Sequence, residues 1–478
     1  MKSRTLLETV EWLFGLAVAF GCFMAVEDAA RVIHLPYQLN YVEGVILSGG
    51  LRIVQGQPLY PPPGEFPIVL NQYGPVFYWL VATLLKLFGI GFTASRVLVV
   101  LSALLIALLL ALLLHHWTRS WVLALSFGFL YCSLPLLRGW LFLVRVDLTG
   151  IALTLAGLYV FVRFPRRWYL SVPFLVAAIF CKYSLVAAPG ACLLYLLAKR
   201  EWRKTLMFGG ATGLLSLLAF LGLQHGASGH FAFHTIFSHA DPYTFSHFLM
   251  TLNPVIQAHS ILMVLAAGLA VYDLSRREIS LPVIYFALAS LTAVTSGKYG
   301  AVENHFLEWL AAACLCAGLC YHALRTNPYG TGALTVVLAA LAVSVLALPP
   351  QEEPNPRLLD CDQAYAFVEN APGQRILSEN VGAVVMAGKP VLLSDPFVWT
   401  WLVKRQGWPQ ATIDNRVRSR SFDLIILYAS AGSLRRSEVY NRWPLSFLTA
   451  VEQNYKPAKY FTCQDAGVIY EPAVTPSH

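Results

Sequence analysis

The chain has 478 residues, 57% of them hydrophobic and only 13% charged, with a mean hydropathy of +0.59. Soluble domains carry roughly a quarter charged residues, so a wholly soluble enzyme and a disordered chain are both excluded. The formal charge of +8 lies in residues 1–349, with 21 basic and 13 acidic side chains, while residues 350–478 balance at 13 each. The basic excess therefore reads as membrane topology and not as nucleic-acid binding.

A membrane helix takes roughly 20 mostly apolar residues. Such stretches recur at about 9–30, 74–88, 96–115, 121–137, 148–163, 170–198, 205–224, 255–274, 281–297, 303–322 and 331–349. The pattern predicts a polytopic α-helical membrane protein of 11–13 transmembrane helices. The first run follows Met1-Lys2-Ser3-Arg4 and has no small-residue cleavage site, and Glu27 and Asp28 come next, so it is expected to stay as an anchor. The 170–198 stretch is long enough for two short helices broken near Lys182. Between 74 and 115 two apolar stretches stand where charge parity needs an odd number of crossings. One is re-entrant, or a span escapes the pattern.

Short basic clusters mark the cytoplasmic side: Lys2/Arg4, His115–Arg119, Arg163–Arg167, Lys199–Lys204, Arg276/Arg277 and Arg325. The outer face then holds the first loop (about 31–73), 138–147, the Lys182 break, 225–254, 297–304 and the tail. Residues 350–356 read as a linker, and short β-type runs at Arg375–Ser378, Pro390–Leu393 and Asp423–Tyr428 alternate with helical patterns. Residues 350–478 are thus expected to form a small soluble α/β domain outside the cytoplasm, behind a transmembrane module of residues 1–349. Its two cysteines, Cys361 and Cys463, are free to pair there; the alternative is two buried thiols. Cys314, Cys316 and Cys320 share one helix without a histidine or carboxylate to complete a metal set, which reads as small-residue packing.

Ionisable groups kept near a bilayer call for a reason. In the first loop Glu43 opens a pattern of apolar residues at 42, 45, 46, 53 and 54, which suggests short amphipathic helices on the membrane surface. A carboxylate at that boundary suits a general base, or else a solvated first-turn glutamate that favours the helix dipole. Arg145 with Asp147, Lys182 and Lys298 gather positive charge on the outer face, as a phosphate site or as local ion pairs and snorkelling chains. His230 and His234 are spaced i,i+4 among five histidines in 225–254, but no H-E-x-x-H pattern is present, and substrate contacts or membrane anchoring fit better than a metal. Glu303, Asn304, His305 and Glu308 lead into a span, where they are costly unless they line a cavity. No Walker A loop, G-x-S-x-G elbow or paired CxxC is present.

Taken together, Tyr41-Val42-Glu43-Gly44, Gly56-x-x-Leu59-Tyr60, Asn71-Gln72-Tyr73-Gly74-Pro75-Val76-Phe77-Tyr78, Arg145-Val146-Asp147, Cys181-Lys182-Tyr183-Ser184 and Glu303-Asn304-His305-Phe306 resemble the GT-C superfamily of membrane glycosyltransferases. The nearest likeness is to the protein O-mannosyltransferase and aminoarabinose-transferase branch of bacterial inner membranes, over about residues 9–350. The resemblance implies an inverting transferase that uses a polyprenyl-phosphate-linked sugar donor and a lipid, glycan or protein acceptor. It puts the site at the outer face of the inner membrane, with the N-terminus cytoplasmic. Many members carry Asp-Glu or Asp on the first loop where Val42-Glu43 stands here. The implied base is Glu43, with Asp147 or Glu65 as a second carboxylate. Arg145, Lys182 and Lys298 are the implied donor-phosphate ligands, and Tyr41, Tyr60, Tyr73, Glu303, Asn304 and His305 line the substrate cavity. Some relatives bind a divalent metal ion; no ligand set for one is evident in this sequence. The main alternative is a multi-span transporter or flippase of a lipid-linked or anionic substrate, against which stand the long polar first loop and the lack of an internal repeat. An O-antigen ligase or polymerase is a third reading.

Overall fold

The computed structural model describes residues 2–239, 241–325, 331–347, 358–437 and 442–473; the expected linker at 350–356 lies outside them. Among the described residues fifteen α-helices make up the first part. They are α1 (Lys2–Val32), α2 (Tyr41–Val54), α3 (Pro75–Phe88), α4 (Thr93–Thr118), α5 (Trp121–Leu130), α6 (Pro135–Trp140), α7 (Val146–Arg163), α8 (Val172–Ile179), α9 (Ala187–Ala198), α10 (Trp202–Gly226), α11 (Phe231–Thr235), α12 (Phe245–Ser275), α13 (Leu281–Ala293), α14 (Leu307–Leu324) and α15 (Thr331–Leu346).

Among the described residues six helices are long and apolar enough to cross a membrane: Leu6–Val32, Thr93–Thr118, Val146–Arg163, Trp202–Gly226, Phe245–Ser275 and Glu303–Leu324. The protein is an integral membrane protein. Five shorter apolar helices accompany them. At 14 residues α3 is about 21 Å long, short of a hydrocarbon core of about 30 Å. Leu87, Phe88 and Trp79 stay exposed on its outside, as lipid-facing side chains do. The expected break at Lys182 is present, between α8 and α9.

The remaining described elements are α16 (Cys361–Asn370), β1 (Ile376–Ser378), α17 (Val381–Met386), α18 (Pro396–Gln406), α19 (Ala411–Arg418), β2 (Leu424–Leu427), α20 (Ala431–Arg436), α21 (Leu445–Asn454), β3 (Tyr455–Tyr460) and β4 (Val468–Pro472). They form one four-stranded sheet in the order β1-β2-β4-β3, parallel between β1 and β2 and antiparallel across the other pairs. The run Pro390–Leu393, expected as a strand, forms only an isolated parallel bridge from Leu393 to Ile68 of the first loop. Cys361 and Cys463 are joined in a disulfide.

The first loop and the tail are packed into each other. Ile68 and Leu70 sit in the tail core with Trp399 and Phe422, and Tyr37 joins a second tail cluster around Ile426 and Ile469. In return Val381 and Val385 of α17 belong to the core of the helical part. The expected surface helices of the first loop are therefore corrected. One helix, α2, covers residues 41–54, and Glu43–Gly50 are buried along it. Gly44 allows this approach, because a Cβ there would lie 2.4 Å from both Gln38 Oε1 and Gly382 N.

Candidate active site

α7 begins at a buried cluster of charge. Asp147 lies in its first turn, where a carboxylate is favoured by the helix dipole. Its Oδ1 accepts from Lys182 Nζ at 2.6 Å and from Asn304 Nδ2 at 2.8 Å. Its Oδ2 accepts from Arg145 Nε at 3.4 Å. Arg145 also donates to Asn40 Oδ1 at 3.2 Å, and its guanidinium lies 4.8 Å from the Trp140 ring. These groups come from four places in the chain: the start of α7, the α8–α9 break, the segment before α14, and the N-cap of α2.

The break that supplies Lys182 depends on a glycine. A Cβ on Gly74 would fall 1.9 Å from Phe180 O, so only glycine lets the start of α3 pack on the turn before Lys182. Val76 N completes the contact by donating to Phe180 O at 3.3 Å.

A small cavity opens beside the cluster, lined by Asp147, Lys182, Ser184, Asn304, His305 and Glu308 among others. His305 Nδ1 is 2.9 Å from Thr295 Oγ1, and Glu308 Oε1 accepts from Tyr285 OH at 3.2 Å. Unpaired charges would be costly in such an enclosed place; here Asp147 is shared by two cations, Arg145 and Lys182, within one hydrogen-bonded set that keeps a net positive charge.

Arg145, Asp147, Lys182, Asn304 and His305 thus come together as the sequence suggests. Tyr73 lies beside Arg145, and its ring centroid is 6.3 Å from that of His239. Tyr60 is held a step back, its hydroxyl donating to Tyr73 O at 2.7 Å. Tyr41 faces the tail, donating to Asp395 Oδ1 at 2.9 Å. Lys298 is half-buried and within electrostatic reach of His239 and Asp241. Burial pushes the His239 imidazole down to about 4, with Lys298 and Lys182 adding to the effect, and pushes the Asp241 carboxyl up to about 6. Glu303 is half-buried beside the cavity wall, and Glu65 is exposed on the first loop.

Glu43 occupies a different position from that of a solvent-facing base. It is fully buried and paired with the equally buried Arg96. Its Oε1 accepts from Arg96 Nε at 3.1 Å and Val144 N at 2.8 Å. Its Oε2 accepts from Arg96 Nη2 at 2.9 Å and Leu39 N at 2.6 Å. Both oxygens are saturated, so in this conformation Glu43 is a brace that fixes the backbone just before Asn40 and just before Arg145. Arg96, a lone cation in the apolar 96–115 run, went unremarked among the sequence candidates. The intramembrane charge itself is the signal that could have found it.

Among the described residues no group of three or more His, Cys, Asp or Glu side chains is placed to hold a metal ion. His234, one of the i,i+4 pair, has its nitrogens at 3.4 Å from Asn71 N and 2.9 Å from Pro61 O, where it ties down the first loop. The cations around Asp147 oppose a dication there as well.

The fold is a polytopic helical bundle with a small C-terminal sheet, and a charged cavity opens at the start of a buried span. No family model matches the chain, and no curated protein sequence does. Solved structures share its fold. ArnT from Cupriavidus metallidurans in the apo state matches with a TM-score of 0.64 at 13% identity, over 95% of this chain and 97% of that one. The same protein bound to undecaprenyl phosphate matches with a TM-score of 0.55 at 16% identity, over 96% and 98%. The Archaeoglobus fulgidus oligosaccharyltransferase tethered with an acceptor peptide gives 0.53 at 11% identity, over 97% of this chain and 74% of that one.

Proposed function

We propose that the chain is an inverting glycosyltransferase that moves a sugar from a polyprenyl-phosphate donor to an acceptor hydroxyl at the outer face of the bacterial inner membrane. The N-terminus is cytoplasmic. Residues 1–349 form the catalytic module, and residues 350–478 form an extracytoplasmic domain docked on its first loop. The observation that carries the reading is the buried Arg145–Asp147–Lys182–Asn304 cluster at the start of α7. The undecaprenyl phosphate bound to ArnT and the acceptor peptide tethered to the oligosaccharyltransferase, proteins of the same fold, agree with such substrates.

The cluster has the parts that transfer needs. As the bond from the anomeric carbon to the phosphate oxygen breaks, negative charge grows on the departing polyprenyl phosphate. Lys182 and Arg145 neutralise it, with Lys298 nearby. The acceptor oxygen bonds to the anomeric carbon from the opposite side and gives its proton to a carboxylate. Glu43 is held by Arg96, Leu39 and Val144, whereas Asp147 is held by the two cations proposed to take the phosphate, so we assign that role to Asp147. Without donor, Asp147 serves as counter-ion to Lys182 and Arg145. An arriving phosphate competes for the same cations and releases the carboxylate to act as a base. Donor binding thereby switches on the base.

The test is transfer by purified, detergent-solubilised protein, offered radiolabelled polyprenyl-phosphate sugars with membrane extract as acceptor. Wild type is expected to transfer label, and folded Asp147→Asn is expected to lose it. Full transfer by the variant would remove Asp147 from the base role. If no donor is bound or consumed, the transporter reading moves ahead.

A further inference from the structure

A second, larger cavity of about 400 Å³ lies at the other end of α7. The first turn of α7 carries Asp147 and its last turn faces this cavity through Phe161 and Val162. About fifteen residues of helix, roughly 22 Å, separate the two. The walls come from the ends of α4, α7 and α9, the starts of α10 and α13, and the segments around Pro165–Trp168 and Glu278–Ser280.

The cavity has a layered chemistry. Trp117, Phe161 and Leu196 give an apolar floor, and Trp168 and Tyr195 stand at the side, as aromatic residues do at a membrane interface. Lys199, Lys204 and Ser280 also line it, Lys199 exposed and the other two half-buried. Lys204 pairs with Glu201, whereas Lys199 lies 5.6 Å from the Tyr195 ring. Among the described residues no carboxylate forms an ion pair with Lys199. Ser280 is the N-cap residue of the 13-residue α13 but makes no side-chain cap bond, and its buried Oγ has no partner. Its own N–H is taken by Asp273 Oδ2 at 2.9 Å. Glu201 and Glu278 are the acidic members of the lining. Arg200 follows Lys199 between α9 and α10, Arg203 precedes Lys204 in the first turn of α10, and Arg163 ends α7 with Arg166 and Arg167 just beyond it.

A free ammonium, an unpartnered hydroxyl and the start of a helix around an apolar floor suit an anion attached to a hydrocarbon. A free phosphate needs no such floor. We propose that this cavity binds the phosphate headgroup of an anionic membrane phospholipid, with Lys199, Lys204 and Ser280 as its contacts and its first methylenes against Trp117 and Phe161. The proposal stands whether or not the chain is a transferase.

Native mass spectrometry of the delipidated full chain tests it, with phosphatidylglycerol, phosphatidylcholine, inorganic phosphate and undecaprenyl phosphate as probes. Phosphatidylglycerol is expected to be retained over phosphatidylcholine. The Lys199→Glu/Lys204→Glu double variant is expected to weaken it by about 30-fold or more. Ser280→Ala, which removes one oxygen and endangers the fold least, is expected to weaken it roughly fivefold. Lys456→Glu/Lys459→Glu, the same charge change on exposed positions of β3, is expected to leave retention unchanged. Equal retention of the two phospholipids overturns the proposal, and so does unchanged retention in both cavity variants. Displacement by inorganic phosphate at equal concentration would make the site one for a free anion. Displacement by undecaprenyl phosphate from wild type alone would assign it to the polyprenyl lipid. Either result overturns the phospholipid assignment.

Discussion

Tyr41 and Asp395 are 354 residues apart in the chain, yet the Tyr41 hydroxyl donates to Asp395 Oδ1 at 2.9 Å. Phe397 N donates to the same hydroxyl at 3.2 Å, and the Arg442 guanidinium lies 4.3 Å from the Tyr41 ring. Through this contact the tail holds the first residue of α2, two positions before Glu43. Asp395 also caps α18 by accepting from Val398 N, so one carboxylate fixes an element on each side of the junction.

That carboxylate makes the junction sensitive to pH. Burial pushes the Asp395 carboxyl from 3.8 up to about 6. The folded state thus holds a proton that the unfolded state releases, and stability is lost as pH rises from about 4 through 6. Two units correspond to roughly 3 kcal/mol as an upper figure. Thermal unfolding in detergent is expected to show a higher midpoint at pH 4.5 than at pH 7.5 from this group. Asp395→Asn, which keeps both the cap and the acceptor for Tyr41, is expected to flatten the trend. An unchanged trend in the variant would mean that other groups set it.

Glu43→Gln and Asp147→Asn separate a brace from a base. The first leaves Arg96 buried with an uncompensated charge, a loss of about 3–5 kcal/mol. It is expected to lower the unfolding midpoint strongly, with activity falling alongside. Asp147→Asn leaves Lys182 and Arg145 without their buried counter-ion and is also expected to lower the midpoint, but to cut transfer per folded protein by about 100-fold or more. A Glu43→Gln protein that melts like wild type yet transfers nothing would return the base role to Glu43.

Lys182 is expected to govern the grip on the donor phosphate. A charged hydrogen bond contributes about 1.5–3 kcal/mol, so Lys182→Met should weaken binding of sugar-free polyprenyl phosphate by roughly 10- to 150-fold. Lys182→Arg should recover part of it. Binding titrations without acceptor read this directly, and equal affinity in all three proteins would exclude Lys182 as a ligand.

The Cys361–Cys463 disulfide closes a loop with a sequence separation of 102. Chain-entropy arguments give up to about 4–5 kcal/mol for a loop of that size. Cys361→Ala/Cys463→Ala is expected to lower tail stability by a sizeable part of that. Hydrogen exchange at β1, β2 and β4 is the measurement, and protection equal to wild type would limit the bond to a local staple.

The site was legible where a charge interrupts an apolar run. Asp147, Lys182 and Asn304 each stand out beside a span, and hydrocarbon leaves few reasons for them except a shared cavity. Arg96 gives the same signal, but its meaning lies in a partner 53 residues earlier, and spacing along one helix cannot show that. Glu43 is the reverse case: the sequence places it at a boundary, and only the packing shows both oxygens taken. In the tail, β3 was missed because Lys456, Pro457 and Lys459 give it the pattern of an exposed edge. Pro390–Leu393 looks like a strand because it is apolar and buried, yet its single bridge partner is Ile68, far away in sequence.

That bridge has a consequence for how the molecule is made. Ile68 N donates to Leu392 O at 2.9 Å and Ser394 N to Ile68 O at 3.0 Å, while Leu70 N donates to Ser394 Oγ at 2.7 Å. During synthesis residues 66–70 emerge some three hundred residues before the partners that order them. Until the ribosome has delivered the tail, the first loop has neither its backbone pairing nor its apolar cover. A nascent chain halted before residue 390 would carry residues 66–70 without the strand-like partner that pins them and without the anchor that Asp395 gives the start of α2.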